Sequence, residues 1–220
     1  MKKEVFVMEE VGRRLPVYLV LDTSGSMSGE KIEAVRQGIK ALIADLRSDP
    51  QAIETAFLSV ITFDSDARQS APLTELLLFK EPHLDANGTT ALGDALKLLM
   101  SCLDREVKKS TDKQKGDWKP LVFLMTDGQP TDSWERYADE LKKKRLGNII
   151  ACAVGSDADE QLLKRITEIV VKMETVQPDA FKQFFKWVSA SIKTTSQSVN
   201  RAGDAPIAIP PAPPAITIVP

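Results

Sequence analysis

The chain has 220 residues, two cysteines, and 29 basic against 31 acidic side chains for a formal net charge of −2. That length suits one sizeable domain plus tails, which buries about 70% of its unfolded surface and needs no disulfide for stability. The balanced charge excludes a field that steers nucleic acid, no aromatic residue interleaves with a basic stripe, and no apolar run reaches the ~18 residues of a membrane span.

In chain order, residues 1–14 are charged and mixed, and Val5-Phe6-Val7-Met8 reads either as a short edge strand or as a fraying terminus. With no signal-peptide pattern at Met1, a cytoplasmic protein is expected. The apolar run from Leu15 to Leu21 is expected as the first buried strand, and it ends directly on Asp22-Thr23-Ser24-Gly25-Ser26-Met27. Asp22, Ser24 and Ser26 are alternate oxygen donors, and Gly25 lets the loop turn sharply. Taken alone, aspartate and serine before a helix also fit an ordinary N-cap. Ile32, Val35, Ile39, Leu42, Ile43 and Leu46 recur at spacings of three and four, predicting a helix from Glu30 to Arg47 stopped by Asp49-Pro50.

Thr55 to Phe63 and Thr74 to Phe79 read as the second and third strands, joined by the polar segment Asp64 to Pro72 as an antiparallel hairpin at one sheet edge. His83, alone in a loop, is expected exposed or locally hydrogen-bonded, since nothing supplies it with a triad. Asn87-Gly88-Thr89-Thr90 precedes a helix that carries Leu92, Leu96 and Leu99 and runs to Lys108; the polar loop Lys109 to Trp118 then reads as mobile and insertion-tolerant. Leu121 to Met125 is a buried strand ending on Thr126-Asp127-Gly128. A helix from Trp134 to Arg145, a strand from Ile149 to Val154, a helix from Ala158 to Ile166, a strand from Val170 to Met173 and a helix from Asp179 to Lys193 continue the alternation. Cys102 and Cys152 fall on apolar faces as reduced core residues, and Lys142-Lys143-Lys144-Arg145 is a solvated helix end. From Thr194 onward the chain is hydroxyl-rich and then proline-rich, with six prolines from Pro206 to Pro220. That composition predicts an extended, flexible tail; the sharper alternative docks Ile216-Thr-Ile-Val219 as an added strand on a sheet edge.

The alternation predicts an α/β fold: a doubly wound, mostly parallel sheet with one antiparallel edge strand and helices on both faces, spanning residues 15–193 between an extension (1–14) and a tail (194–220). Three polar loops would then converge at the carboxyl edge of that sheet, where open α/β sheets place their ligand sites.

This constellation resembles the von Willebrand factor A (VWA) domain with its metal-ion-dependent adhesion site (MIDAS). Through Leu15-Pro-Val-Tyr-Leu-Val-Leu-Asp-Thr-Ser-Gly-Ser-Met27 and Thr126-Asp-Gly-Gln-Pro-Thr-Asp132 it looks most like the bacterial TerY-type tellurite-resistance proteins. The resemblance covers Leu15 to Ile192 and implies a metal site made of Asp22, Ser24, Ser26, Thr90 and Asp127. Thr90 is chosen over Thr89 because it lies five residues before Ala95-Leu96, as the family's threonine does before its Ala-Leu pair. The implied function is metal-dependent binding of a partner's aspartate or glutamate through Mg2+, with Mn2+ or Ca2+ as alternatives. Kinase-like and phosphatase-like partners of a stress response are also implied, which makes Thr194, Thr195, Ser196 and Ser198 candidate phosphoacceptors. Two acids and three neutral hydroxyls would leave a bound ion much of its charge, which supports binding over catalysis. Two other classes stand beside it. An aspartate-nucleophile phosphohydrolase would pair two aspartates two residues apart, but Ser24 holds the second position, and no nucleotide-cradling Gly-x-x-x-x-Gly-Lys loop occurs. A structural scaffold would use the same loop residues only as helix caps.

Overall fold

Leu15–Asp22 (β1) is buried along its whole length, because successive side chains enter two separate cores. Leu15, Val17, Leu19 and Leu21 face one, and Tyr18 and Val20 face the other. A strand apolar on both faces belongs between two layers of helices, and parallel neighbours supply that setting. The computed structural model, which describes residues 13–112, 114–144, 146–156, 158–199 and 209–219, places β1 inside a seven-stranded sheet, between two parallel neighbours.

The remaining strands are Ala56–Phe63 (β2), Ala67–Glu75 (β3), Leu121–Thr126 (β4), Asn148–Val154 (β5), Ile169–Met173 (β6) and Thr217–Val219 (β7), in the order β3-β2-β1-β4-β5-β6-β7. The five inner strands are parallel, and β3 and β7 are antiparallel at the two edges. Glu30–Leu46 (α1), Pro50–Thr55 (α2) and Pro178–Val199 (α6) cover one face. Leu92–Glu106 (α3), Glu135–Lys142 (α4) and Glu160–Ile166 (α5) cover the other. The expected doubly wound α/β fold is therefore present, with a second antiparallel edge strand that comes from the segment the alternative reading of the tail had named.

Three elements differ from the sequence reading. The third strand lies on the polar segment 67–75, and Leu76 to Phe79 is a turn closed by Phe79 N on Glu75 O at 2.9 Å. An edge strand needs little apolar cover, and Ser70 Oγ meets Thr62 Oγ1 at 2.7 Å while Ser59 Oγ bonds Ala71 O at 2.9 Å. The apolar run Leu76-Phe79 was a turn that buries its two ends and exposes Leu77 and Leu78. Asp49-Pro50 ends α1 but also starts α2, with Asp49 Oδ1 accepting from Ala52 N at 2.9 Å and proline in the first turn. The loop expected to be mobile is tied down at its end. The Asp117 side chain, 3% exposed, takes the Arg14 guanidinium at 2.5 Å and Lys108 N at 2.7 Å, and Arg13 stacks 3.5 Å over Trp118.

The boundary expected at Lys193 falls inside α6, which runs on to Val199. Residues 209–219 are a docked segment and not a free tail: β7 pairs with β6, Ile216 enters the core, and Trp187 Nε1 donates to Pro210 O at 2.9 Å. The added strand thus completes the chain's own sheet. The Val5-Met8 reading lies outside the described residues.

The α1–α6 packing turns on Gly38. A Cβ there would lie 2.0 Å from the Phe185 ring. Alanine in a helix interior ordinarily gains about 0.5–1 kcal/mol over glycine, but overpacking of this kind costs about 1–3 kcal/mol. Gly38→Ala is therefore predicted to lower stability in urea unfolding; a more stable variant would contradict this packing.

Candidate functional site

β1 and β4 are neighbours at the point where the strand order reverses, so the crevice of the sheet opens at their carboxyl ends. Asp22 is the last residue of β1 and Thr126 the last of β4. Asp22 is 1% exposed, and both of its carboxylate oxygens are engaged: Oδ1 accepts from Ser24 N at 2.8 Å and Oδ2 from Thr126 Oγ1 at 2.5 Å. Burial raises its pKa, with the Asp127 charge adding to the shift and the Ser24 and Thr126 hydrogen bonds opposing it.

The chain then closes a single tight turn, Gly25–Met27, in which Met27 N bonds Ser24 O at 3.0 Å and the Met27 side chain is fully buried against α1. This apolar anchor holds the serines. Ser26 Oγ donates to Asp127 Oδ1 at 2.6 Å, so the Ser24 hydroxyl, 3.0 Å from Ser26 Oγ, supplies the proton between those two.

The second loop is stitched to the first through the backbone. Asn87 N bonds Thr23 O at 2.9 Å, and Gly25 N bonds Gly88 O at 3.1 Å. Gly88 carries the positive φ of this loop, 70°, and a Cβ there would meet Ser65 Oγ at 2.4 Å, so Thr89 keeps a negative φ. Thr90 is fixed from the third loop, with Thr131 N on its carbonyl at 2.9 Å and Thr131 Oγ1 accepting from its N–H at 3.2 Å. A Cβ at Gly128 would lie 3.5 Å from Thr90 Oγ1 and 3.6 Å from Ser26 Oγ, so the bare glycine makes a cradle between two hydroxyls. Asp22, Ser24, Ser26, Thr90 and Asp127 are thereby brought to one place.

Three contributors were not singled out from the sequence. Thr126 holds Asp22 and also accepts from Gly128 N at 3.3 Å. Asp132 receives the first N–H groups of α3, Gly93 at 2.9 Å and Asp94 at 3.0 Å, locking the third loop to the second. Lys31, in the first turn of α1, places Nζ 2.5 Å from Asp127 Oδ2. Thr126 and Asp132 lie within the quoted motif. The signal for Lys31 was a cation at a helix N-terminus, where the dipole disfavours one.

Every donor here is oxygen. Among the described residues no three His, Cys, Asp or Glu side chains gather as a metal cluster, so a cation here would rely on hydroxyls and water beside two carboxylates. That set fits a hard divalent ion. Other candidates fall away from it. Cys102 and Cys152 are buried free thiols whose pKa burial raises, and exposed His83 pairs with Asp85 at 3.0 Å. Of the expected phosphoacceptors, Thr195 and Ser196 are fully buried in α6, Thr195 Oγ1 donating to Ser191 O at 2.7 Å and Ser196 Oγ accepting from Thr55 Oγ1 at 2.9 Å. A kinase cannot reach them in the folded chain. Thr194 is half-buried on α6, and the Ser198 side chain lies outside the described residues.

A model of the von Willebrand factor type A domain matches residues 17–186. The uncharacterized protein sll0103 of Synechocystis is 34% identical over 148 residues, 62% of this chain and 30% of that protein. Mouse inter alpha-trypsin inhibitor heavy chain 4 is 32% identical over 123 residues, 52% of this chain and 12% of that protein. This chain therefore spans less than a third of either relative. Among solved structures, proximal thread matrix protein 1 of the mussel byssus, determined with a zinc-occupied MIDAS motif, superposes with a TM-score of 0.60 at 18% identity over 83% of this chain and 48% of that chain.

The raised pKa of Asp22 gives a signed expectation in EDTA. The folded state holds the Asp22 proton above its ordinary 3.8, so the associated stability is present below that value and is lost as pH rises through the raised one. Relative to Asp22→Asn, wild type should lose stability in urea unfolding as pH climbs from about 4 to 7; parallel pH profiles would contradict it.

Proposed function

Because the chain belongs to the von Willebrand factor type A domain family, we propose that it is a protein-interaction module whose binding depends on a divalent cation at the β1–β4 crevice. One observation carries the reading: two carboxylates and three hydroxyls from three loops meet at the carboxyl ends of β1 and β4, with the Thr90 and Ser26 hydroxyls flanking the bare Cα of Gly128. Asp22, Ser24, Ser26, Thr90 and Asp127 would hold the ion. Mg2+ is proposed, with Mn2+ or Ca2+ as alternatives, because hard cations take oxygen donors and keep waters. Once bound, the cation would supply an electrophilic position for a carboxylate from outside.

The chain's own part is preorganisation. Thr126 and Ser24 N orient Asp22, Met27 anchors the serine turn, and Thr131 fixes the Thr90 backbone, so little ordering would be needed when a ligand arrives. A partner's aspartate or glutamate is the ligand proposed. A non-enzymatic role is part of the proposal, supported by Ser24 in the place where an aspartate-nucleophile enzyme would carry its second aspartate. The TerY-type resemblance extends the proposal to a cytoplasmic tellurite-resistance or stress-response setting with kinase-like and phosphatase-like partners. Its support is the two motifs, Leu15 to Met27 and Thr126 to Asp132. Among the described residues no helix is long and apolar enough to cross a membrane.

The test is thermal unfolding of wild type and Asp22→Ala with excess EDTA and with millimolar Mg2+ or Mn2+. A ligand specific for the folded state at ~100-fold above its Kd adds about 2.7 kcal/mol, so wild type should gain that order of stability and the variant should not. Identical melting in EDTA and metal, at every metal concentration, would contradict the proposal.

A further inference from the structure

Lys31 sits against the local rules of its helix. It is the second residue of α1, at the positive end of the dipole, where Glu30 and Glu33 are the residues that suit the first turn. Its ammonium is held there by Asp127, whose side chain is 1% exposed while that of Lys31 is 26% exposed. The two Asp127 oxygens are thus divided. Oδ1 takes the Ser26 hydroxyl within the donor set, and Oδ2 takes a full positive charge from outside it, at 2.5 Å. Beside the Lys31–Asp127 pair, and lined in part by both residues, a cavity of about 410 Å³ opens at the carboxyl ends of β5 and β6, with Val154, Ser156, Glu174 and Gln177 on its walls.

We propose that Lys31 is a tethered competitor for the cation site, setting the concentration at which divalent ions bind and rejecting monovalent ones; the inference rests on the metal-dependent reading above. A cation that draws Asp127 into its shell must contend with the ammonium already on that carboxylate. A sodium or potassium ion offers Asp127 only the single charge that the ammonium already supplies at 2.5 Å. Exchange for a monovalent ion therefore gains nothing. A divalent ion doubles the Coulomb attraction to Asp127 at a given distance and acts on Asp22 as well, so it can win once its concentration is high enough. The displaced side chain has somewhere to go. The cavity is open beside it, and Glu174 on its wall, 60% exposed and 3.5 Å from Lys172, offers a carboxylate within the same space.

The device makes Lys31 a selectivity residue and not a ligand. Removing its charge should strengthen divalent binding, the reverse of what removing a ligand does. The experiment is calorimetric titration of EDTA-stripped full chain with MnCl2 and with MgCl2, for wild type, Lys31→Gln, Lys31→Arg and Asp22→Ala. Each is run at one ionic strength set either with sodium chloride or with tetramethylammonium chloride, whose cation is too large for the site. Lys31→Gln should bind Mn2+ up to about fivefold tighter, the measure of one ion pair of this kind. It should also become weaker in sodium than in tetramethylammonium, while wild type and Lys31→Arg show little difference between the two salts. Equal Mn2+ affinity in wild type and Lys31→Gln, with binding lost in Asp22→Ala, would overturn the role of Lys31 and leave the metal site standing. Weaker binding in Lys31→Gln would overturn it too, by making Lys31 a supporting residue. No binding heat in any of the four proteins would overturn both readings together.

Discussion

A carboxylate buried at the end of a buried strand is the constraint on which the rest of the site depends. Asp22 terminates β1 with 1% of its surface exposed, where an ionised group without partners is costly. Ser24 N and the Thr126 hydroxyl offset that cost, and each comes from a different place: the loop that Asp22 itself begins, and the end of the neighbouring strand. Burial still outweighs them in the pKa, which remains raised. The site is thus built around a charge the fold only partly satisfies, and the proposed cation would complete it.

Around this charge the three loops are locked to one another more than to their own strands. The first borrows carbonyls from Phe63 and Gly88, the second lends Thr23 its Asn87 N–H, and the third ties Thr131 to Thr90 while Asp132 caps α3. A displacement of one loop would break bonds in the other two. Hydroxyls supply three of the five donors, so the set carries two formal negative charges at most, and in the empty site Lys31 cancels part of them. An ion bound here would keep its pull on an external carboxylate.

Much of this was legible in the chain. The run Leu15 to Leu21 ending on Asp22, and Leu121 to Met125 ending on Thr126-Asp127, pointed to two parallel strands opening on one crevice, and all five expected oxygen-bearing residues meet there. Hydrophobic pattern was the informative signal wherever both faces of an element are buried. It failed at the sheet margins. β3 is polar because an edge strand has one covered face, so the apolar Leu76-Phe79 drew the strand away from its true position. The prolines of the last segment pointed to an extended chain, but not to the β6 edge that receives it or to the Trp187 indole that holds Pro210. The hydroxyl-rich stretch from Thr194 looked solvated. It is the last part of α6, where Thr195 satisfies itself on the preceding turn and Ser196 bonds across to Thr55. Lys31 was legible only as a cation at an unsuited helix terminus, since its partner lies 96 positions away and no local pattern announces the pair.

The measurement that tests the central claim most directly is anomalous diffraction from a crystal of the chain grown with manganese. The account predicts one strong peak enclosed by Asp22, Ser24, Ser26, Thr90 and Asp127, with hydroxyl oxygens about 2.0–2.6 Å from it, the range of hard-cation ligands. A peak elsewhere, or none at saturating manganese, would contradict a metal-dependent site at the β1–β4 crevice.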